Sequence, residues 1–332
     1  MTNTNCVVGS ITPYVPSESM PWNRTRALHL YRRMGFGASQ QEIEAALQKD
    51  PTALVDEIID AAMILPLPEE PDWGNWALSD YNGNVEQAID QVKGWTYQWL
   101  DDMIKHGFRE KLALFWHNHF VTQIDSYNCP SYLYQYHRLL QEYALGDFKT
   151  FVKKMGTTPA MLIYLNGVQN TRFEPNENYA RELYELFTLG RDNGYTQSDI
   201  VNTAKALTGY NGFTEACATI GYVDGFHDPS SKTIFGKTDT YDYDKLHDLL
   251  FEERSSAIAT FICTKIYRHF VNPQVDENIV ASLAQTFLAS QDQGQFPLAP
   301  VFRQLFKSEH FFDDLWIHEV SINLRTNKGG YC

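Results

Sequence analysis

Residues 175–189 read PNENYARELYELFTL, and their spacing is typical of an amphipathic helix. Asn176 is suited to be the N-cap, because its side-chain oxygen can accept a hydrogen bond from an unpaired backbone N–H of the first turn. Apolar side chains then recur on one face of the helix: Tyr179, Leu183, Leu186 and Phe187. The stretch therefore predicts a helix that buries one face, and similar patterns follow one another along most of the chain.

Cap residues and prolines mark the starts of other helices. Asn23 precedes a helix through Met34, Ser39 begins a capping box, and Asp50 precedes a helix that runs to about Leu65. Further helices are expected near 85–106, 108–123, 130–145, 147–155, 158–165, 196–208, 241–252, 255–271, 276–289 and 298–307. Strand signals are sparse, and only the region 210–236 favours a short hairpin.

This pattern predicts an all-α protein, with a mainly α-helical single domain and a short irregular or hairpin-like loop region near 210–240. We expect the domain to span residues 23–314. Residues 1–22 are expected to be an N-terminal extension, and residues 315–332 a frayed tail, because helical apolar spacing is lost there.

The composition excludes several classes of protein. The 332 residues are 43% hydrophobic and 20% charged, which excludes a disordered chain, a coiled coil and a collagen-like fibre. With 27 Lys and Arg against 41 Asp and Glu, the net charge is −14, which argues against nucleic acid or an anionic membrane as a partner. Met1–Ser19 does not resemble a secretory signal and no apolar run of about 18 residues occurs, so we expect no transmembrane segment and a cytoplasmic location by default.

The cysteines predict neither disulfides nor a zinc site. The five cysteines are scattered, odd in number and without a CxxC pair. A disulfide framework is therefore not expected, and neither is a closed Cys-rich zinc site.

Two histidines near the end of the 108–123 helix are candidate metal ligands. Residues 115–120 read FWHNHF, and His117 and His119 lie about 200° apart around a helix. Both can therefore serve one metal ion only if the helix ends or distorts there. The alternative is two buried histidines that make structural hydrogen bonds. His119 is the one expected to face the interior.

Carboxylates of the 175–189 helix form the second part of the predicted site. Glu182 lies at the rim of the apolar stripe, where a carboxylate must be paired, protonated or metal-bound. We therefore predict Glu182 as a catalytic residue, and Glu182 and Glu185 as metal ligands. Arg181 can pair with Glu177 and Glu185, and it is also a candidate to orient an anionic substrate group.

The loop 225–236 and two arginines complete the set of candidates. In the loop, His227 and Asp228 are candidate catalytic residues and Lys232 a candidate substrate-binding cation, although Asp228-Pro229 is also an ordinary turn. Arg32 and Arg33 could hold a phosphate or carboxylate by bidentate hydrogen bonds. The alternative for these arginines is pairing with internal carboxylates, including Glu182.

An extended stretch follows the 51–65 helix. Three prolines impose it: Pro66, Pro68 and Pro71. The stretch carries Trp73 and Trp76. Aromatic side chains of the following helices, among them Trp95, are expected in the core rather than on a sugar-binding platform.

Several strings together resemble the large bacterial family catalogued as domain of unknown function 1800 (DUF1800). They are FWHNHF (115–120), PNENYAREL (175–183), FTLG (187–190), HLYRRMGFG (29–37), ALTG (206–209), the loop from His227 to Thr233, and YRHFV (267–271). The resemblance covers about residues 23–314 and implies a helical fold without an assigned activity. It also implies an exported or envelope protein that acts with the product of a neighbouring gene.

Two functional hypotheses follow. The first is a metal-assisted hydrolase-like enzyme, in which the histidines and carboxylates hold a divalent ion such as Zn²⁺ or Mn²⁺ that activates water. The second is a non-enzymatic binding or assembly protein, in which the same polar residues form a buried network and an aromatic surface holds a partner. Recognition of an anion by Arg32, Arg33 and Arg181 is a third possibility.

Overall fold

A computed structural model describes residues 9–317, and they form a mainly α-helical fold, as the sequence predicts. The helices are α1 (Arg24–Met34), α2 (Gln40–Ala46), α3 (Pro51–Ile64), α4 (Val85–His106), α5 (Phe108–His119), α6 (Pro130–Glu142), α7 (Phe148–Gly156), α8 (Pro159–Tyr164), α9 (Asn178–Glu182), α10 (Gln197–Ala206), α11 (Tyr243–Glu253), α12 (Ser255–Phe270), α13 (Glu277–Ala289) and α14 (Ala299–Lys307). The strands are β1 (Tyr210–Gly212), β2 (Gly221–Tyr222), β3 (Lys232–Ile234) and β4 (Lys237–Asp239).

The strands confirm the hairpin region expected between 210 and 236. β1 pairs with β2, and β3 pairs with β4, in both cases antiparallel. The second pair turns at Phe235 and Gly236, both of which have positive φ. A glycine is favourable at the second of these positions because it has no Cβ to strain the left-handed backbone.

The centre of the fold is α5, which packs against α3, α4 and α6. Its Trp116 is fully buried, and the indole Nε1–H donates to the carbonyl of Ala144 at 2.9 Å. Phenylalanines of α7, α12 and α14 pack in the same core, among them Phe148, Phe270 and Phe306. The other side of α4 faces solvent, which leaves this long helix covered on one side only.

The helix predicted over 176–189 changes its winding halfway. It is α-helical as α9 and then continues as a π-helical turn over Leu183–Thr188, where the backbone N–H of Leu189 donates to Tyr184 at 2.8 Å. The Thr188 hydroxyl donates to the carbonyl of Leu183 at 2.5 Å. The extra residue in this turn rotates Leu186 out of the apolar stripe, and its side chain is 49% exposed.

The expectation of no disulfide was wrong, since Cys129 and Cys217 are bonded. The bond joins the start of α6 to the loop between β1 and β2, with the two Cα atoms 5.4 Å apart. Scattered spacing and an odd number of cysteines carry no information about two residues that the fold brings together across 88 positions. Cys263 is a free, buried thiol.

Candidate functional site

His117 and His119 point in different directions, as expected for a regular helix. His117 Nδ1 lies 2.8 Å from the Tyr136 hydroxyl. His119 is buried, as predicted, with Nε2 3.1 Å from the carbonyl of Phe187 and Nδ1 3.0 Å from Lys265 Nζ. Burial, together with the charge of Lys265, holds the pKa of His119 well below its usual range. Both nitrogens of His119 therefore have partners within the protein.

The carboxylates predicted on the 175–189 helix lie together with arginines. Arg181 is 3.1 Å from Glu177 and 3.5 Å from Glu185, and Arg191 is 3.3 Å from Glu185. Glu182 is half-buried, and its carboxylate has no hydrogen bond or ion pair with residues 9–317. Burial and the charge of Glu185 raise the pKa of Glu182. The predicted pairing of Arg181 is confirmed, and Glu182 remains the unpaired member of this group.

The loop 225–236 uses its polar groups to hold its own shape. His227 is buried, and its Nδ1 lies 3.1 Å from the carbonyl of Thr208. The Asp228 carboxylate accepts from the backbone N–H of Ser230 at 2.8 Å. Lys232 is buried and donates to the carbonyls of Asp228 and Ser230 at 2.6 and 2.7 Å. Its ammonium is therefore directed at backbone oxygens of the turn rather than at an open cavity.

The two arginines of α1 have different surroundings. Arg32 is exposed and Arg33 is half-buried. Burial lowers the pKa of Lys111, and the charge of Arg33 lowers it further. Burial and the charges of Lys111 and Arg33 lower the pKa of His269 to about 4. This end of α1 therefore lies in a positively charged part of the molecule.

The predicted metal ligands do not form a recognisable metal site in the described part of the chain. Among residues 9–317, no three His, Cys, Asp or Glu side chains are grouped so that they could hold a metal ion. His117 and His119 contact Tyr136, Phe187 and Lys265, whereas Glu185 contacts arginines. Shared ligation by His117, His119, Glu182 and Glu185 therefore stays a prediction without geometric support.

A large cavity lies elsewhere, as an open groove of 1220 Å³ between α4 and the proline-rich stretch 65–76. Three tryptophans line it: Trp73, Trp76 and Trp95. The rings of Trp73 and Trp95 meet edge to face, with 6.0 Å between their centroids, whereas Trp76 packs edge to face on Tyr81 at 5.3 Å. Such a combination of aromatic faces and polar groups is typical of ligand sites.

The proline-rich wall of the groove is fixed to the helices behind it. Arg109 on α5 donates to the carbonyls of Leu65 and Pro66 at 3.2 and 2.6 Å. Gln135 on α6 donates to the carbonyl of Gly74 at 3.0 Å, and Ser131 donates to the carbonyl of Trp76 at 2.8 Å. These hydrogen bonds fix the wall in place, so a ligand need not order it.

The floor of the groove is one face of α4. Gln87, Gln91, Trp95, Gln98 and Asp102 recur along it at helical spacing. Trp95 is only 8% exposed, and its indole Nε1–H has no acceptor among the described residues. Gly94 also lines the groove, and a Cβ added there would meet no atom within 4 Å. The packing of the chain therefore does not require glycine at this position.

The groove was not predicted from the sequence, because Trp95 was expected in the core. That placement is correct for most of the ring, but one edge of Trp95 belongs to a ligand-accessible surface. A signal was available in the prolines that hold Trp73 and Trp76 in an extended stretch, and in the glycine at the middle of α4.

The described residues thus form a mainly helical fold with an open groove lined by three tryptophans. The chain belongs to the family described as "Protein of unknown function (DUF1800)", whose model matches residues 29–325, and this confirms the resemblance seen in the motifs. No curated protein and no solved structure is significantly similar to the chain. Within residues 9–317, no helix combines the length and the apolar character needed to cross a membrane.

Proposed function

We propose that this protein is a non-enzymatic binding protein that holds an extended polypeptide segment of a partner in the groove beside α4. The observation that carries the proposal is the groove itself, which is open, preformed and lined by three tryptophans. Aromatic side chains of this kind supply much of the binding energy at protein interfaces, because they bury a large area with few rotatable bonds.

The dimensions of the groove favour a chain-like ligand. Its lining residues on α4 and its N-cap extend from Asn84 to His106. At a rise of 1.5 Å per residue, this part of the helix is about 33 Å long. An extended polypeptide covers about 3.3 Å per residue, so about ten residues fit along it. Amide side chains able both to donate to and to accept from a peptide backbone lie along the floor: Asn84, Gln87, Gln91 and Gln98.

Gly94 gives independent support. A glycine inside a helix costs about 1 kcal/mol relative to alanine. The chain gains no packing from it, since a Cβ there would touch nothing. A ligand backbone that passes close to α4 would benefit from the missing side chain, which gives this unfavourable residue a purpose.

The histidines and carboxylates predicted as a catalytic or metal site fit a structural role better. Most of their polar atoms are paired within the protein, as for His119 with Phe187 and Lys265. This matches the buried network that the binding hypothesis expects. We place these residues in the scaffold that positions the groove rather than in a catalytic centre.

The test uses isothermal titration calorimetry with three acetylated ten-residue peptides that alternate glycine with lysine, glutamine or glutamate. At least one peptide is expected to bind, and Trp73→Ala is expected to weaken it by about tenfold or more. Tyr97→Ala is the matched control, because Tyr97 is an aromatic residue of α4 that is 70% exposed and lies outside the groove.

Two results would contradict the proposal. One is that none of the three peptides binds, and the other is that Trp73→Ala and Tyr97→Ala have the same effect. Cellohexaose serves as a comparison ligand in the same assay. If it binds and the peptides do not, the groove is a saccharide site and the assignment to a polypeptide is wrong.

The disulfide favours an extracytoplasmic location for this binding function. Disulfides persist in oxidising compartments and are rare in the reducing cytosol. The bond between Cys129 and Cys217 is buried, and it is therefore of the structural kind. An exported partner, encoded in a neighbouring gene as the resemblance implies, would meet the groove in that compartment.

A second candidate function, acid–base catalysis, is favoured by Glu182 alone. Its carboxylate is half-buried, has no partner among the described residues, and has a raised pKa. A metal-assisted version requires an ion. Stoichiometric Zn²⁺ or Mn²⁺ in protein purified without chelator would support it. Metal-free protein whose melting temperature is unchanged by EDTA and by added Zn²⁺ or Mn²⁺ would remove it.

A further inference from the structure

The groove is strongly acidic. Five carboxylates line it: Glu69, Asp72, Glu86, Asp90 and Asp102. The basic side chains in its lining are His106 and Arg109. Arg109 is buried, and its guanidinium is used by the carboxylate of Glu110 at 2.7 Å and by backbone carbonyls of the wall. The groove therefore attracts positive charge, and an acidic ligand would be repelled.

Asp102 differs from the other carboxylates because it is only 4% exposed. Within residues 9–317, its hydrogen bond is from the neutral amide of Gln98, 2.9 Å from Oδ1. His106 Nε2 is 3.9 Å away, which is beyond hydrogen-bond distance. A buried carboxylate normally has a cation or several donors as partners, because loss of hydration is costly. Asp102 therefore has unused capacity to accept hydrogen bonds at the floor of the groove.

Trp95 lies two helical turns before Asp102 on the same face of α4, with Gln98 between them. The ring of Trp73 stands at 90° to that of Trp95. The aliphatic part of a long side chain can pack on these indoles while its charged end reaches the carboxylate.

From this juxtaposition we infer that the partner segment carries a lysine or arginine side chain, which packs on Trp95 and Trp73 and pairs with Asp102. The inference rests on the proposed function, because it names the chemistry of the segment that the groove holds. A lysine or arginine side chain supplies both features that the site can use: an aliphatic part for the indole rings and a charged end for Asp102.

The experiment compares the lysine, glutamine and glutamate peptides by calorimetry on the wild-type protein and on Asp102→Asn. The wild type is expected to bind the lysine peptide about tenfold or more tightly than the glutamine peptide, and the glutamate peptide most weakly. Asp102→Asn should abolish most of the preference for lysine, measured as the ratio of the affinities for the lysine and glutamine peptides. Added salt should weaken binding of the lysine peptide but not of the glutamine peptide.

Asp101→Asn is the matched control. It changes the charge by the same amount at the adjacent position, but Asp101 is paired with Lys105 and does not line the groove. The preference for lysine should persist in this variant. If Asp101→Asn and Asp102→Asn reduce it equally, the effect is one of overall charge and the specific role of Asp102 is wrong.

The inference and the proposed function fail in different ways. Equal binding of the lysine and glutamine peptides overturns the inference while the proposed function stands. Absence of binding by every peptide overturns the function itself. Circular dichroism checks that Asp102→Asn is folded. If it is not, the ranking of the three peptides on the wild-type protein decides, and equal or tighter binding of the glutamate peptide refutes the inference.

Discussion

Replacing Arg109 by methionine perturbs the contact that fixes the proline-rich wall of the groove. The guanidinium of Arg109 donates to the buried carboxylate of Glu110 and to the carbonyls of Leu65 and Pro66. Glu110 is fully buried and also accepts two bonds from Gln141 Nε2, at 3.0 and 2.9 Å. Methionine fills a similar volume but removes both the positive charge and the hydrogen bonds to the wall.

The expected loss of unfolding free energy is about 3–5 kcal/mol, the usual cost of leaving one member of a buried ion pair without its partner. Gln141 continues to solvate Glu110, which favours the lower end of that range. The double variant Arg109→Met/Glu110→Gln removes the uncompensated charge. It should therefore recover more than half of the loss.

Urea unfolding followed by tryptophan fluorescence measures both variants. Hydrogen exchange then reports whether the backbone of 65–76 becomes less protected in Arg109→Met while α12 does not. A loss below about 1 kcal/mol, which is the value of an exposed ion pair, would refute the reasoning. A double variant that is no more stable than Arg109→Met would also refute it, because the loss of unfolding free energy would then not come from the unpaired charge of Glu110.

Three further perturbations have defined outcomes. Gly94→Ala should raise the unfolding free energy by about 1 kcal/mol and yet weaken peptide binding. Thr96→Ala, on the solvent side of α4, should leave peptide binding unchanged. Equal peptide affinities of the two variants would contradict the role of Gly94. Three buried histidines have a pKa lowered chiefly by burial, to about 3, 3 and 4: His29, His137 and His247. In the unfolded chain these histidines bind protons below about pH 6.5, whereas in the folded protein they stay neutral to much lower pH. Their full contribution to the unfolding free energy is therefore present above pH 6.5 and is lost as the pH falls. It should fall by up to about 4 kcal/mol per pH unit toward pH 4, and equal urea midpoints at pH 7 and 5 would contradict this. Replacing Cys129 and Cys217 by serine removes a link across 88 residues and should lower the unfolding free energy by about 2–5 kcal/mol. Equal melting temperatures of the oxidised and the reduced wild type would contradict this.

Much of the fold follows from local sequence rules. Ser39 and Glu42 form the capping box that their spacing predicts, and Asp50 caps α3 ahead of Pro51. These features could be predicted because they depend on side chains within four residues of each other. The π-helical turn at Leu183–Thr188 could not be predicted from such local rules. Its Leu186 carbonyl accepts a hydrogen bond from Lys265, which lies 79 residues away in the chain.

The candidate site shows the same division. Arg181 and Glu185 lie one helical turn apart, and their predicted contact is present. In contrast, the hydrolase hypothesis required His119, Glu182 and His227 to converge from distant segments, and the sequence carries no direct signal for such convergence. The groove was missed for a related reason, since Trp95 is both a core residue and part of a ligand surface.

Binding of a peptide in the groove is measured most directly by hydrogen–deuterium exchange of the protein with and without the lysine peptide. We expect slower exchange at 65–76 and along the groove side of α4, with no change over 177–191. Unchanged exchange at both walls of the groove, or protection confined to 177–191, would show that the functional surface lies at the charged helix and not at the tryptophans.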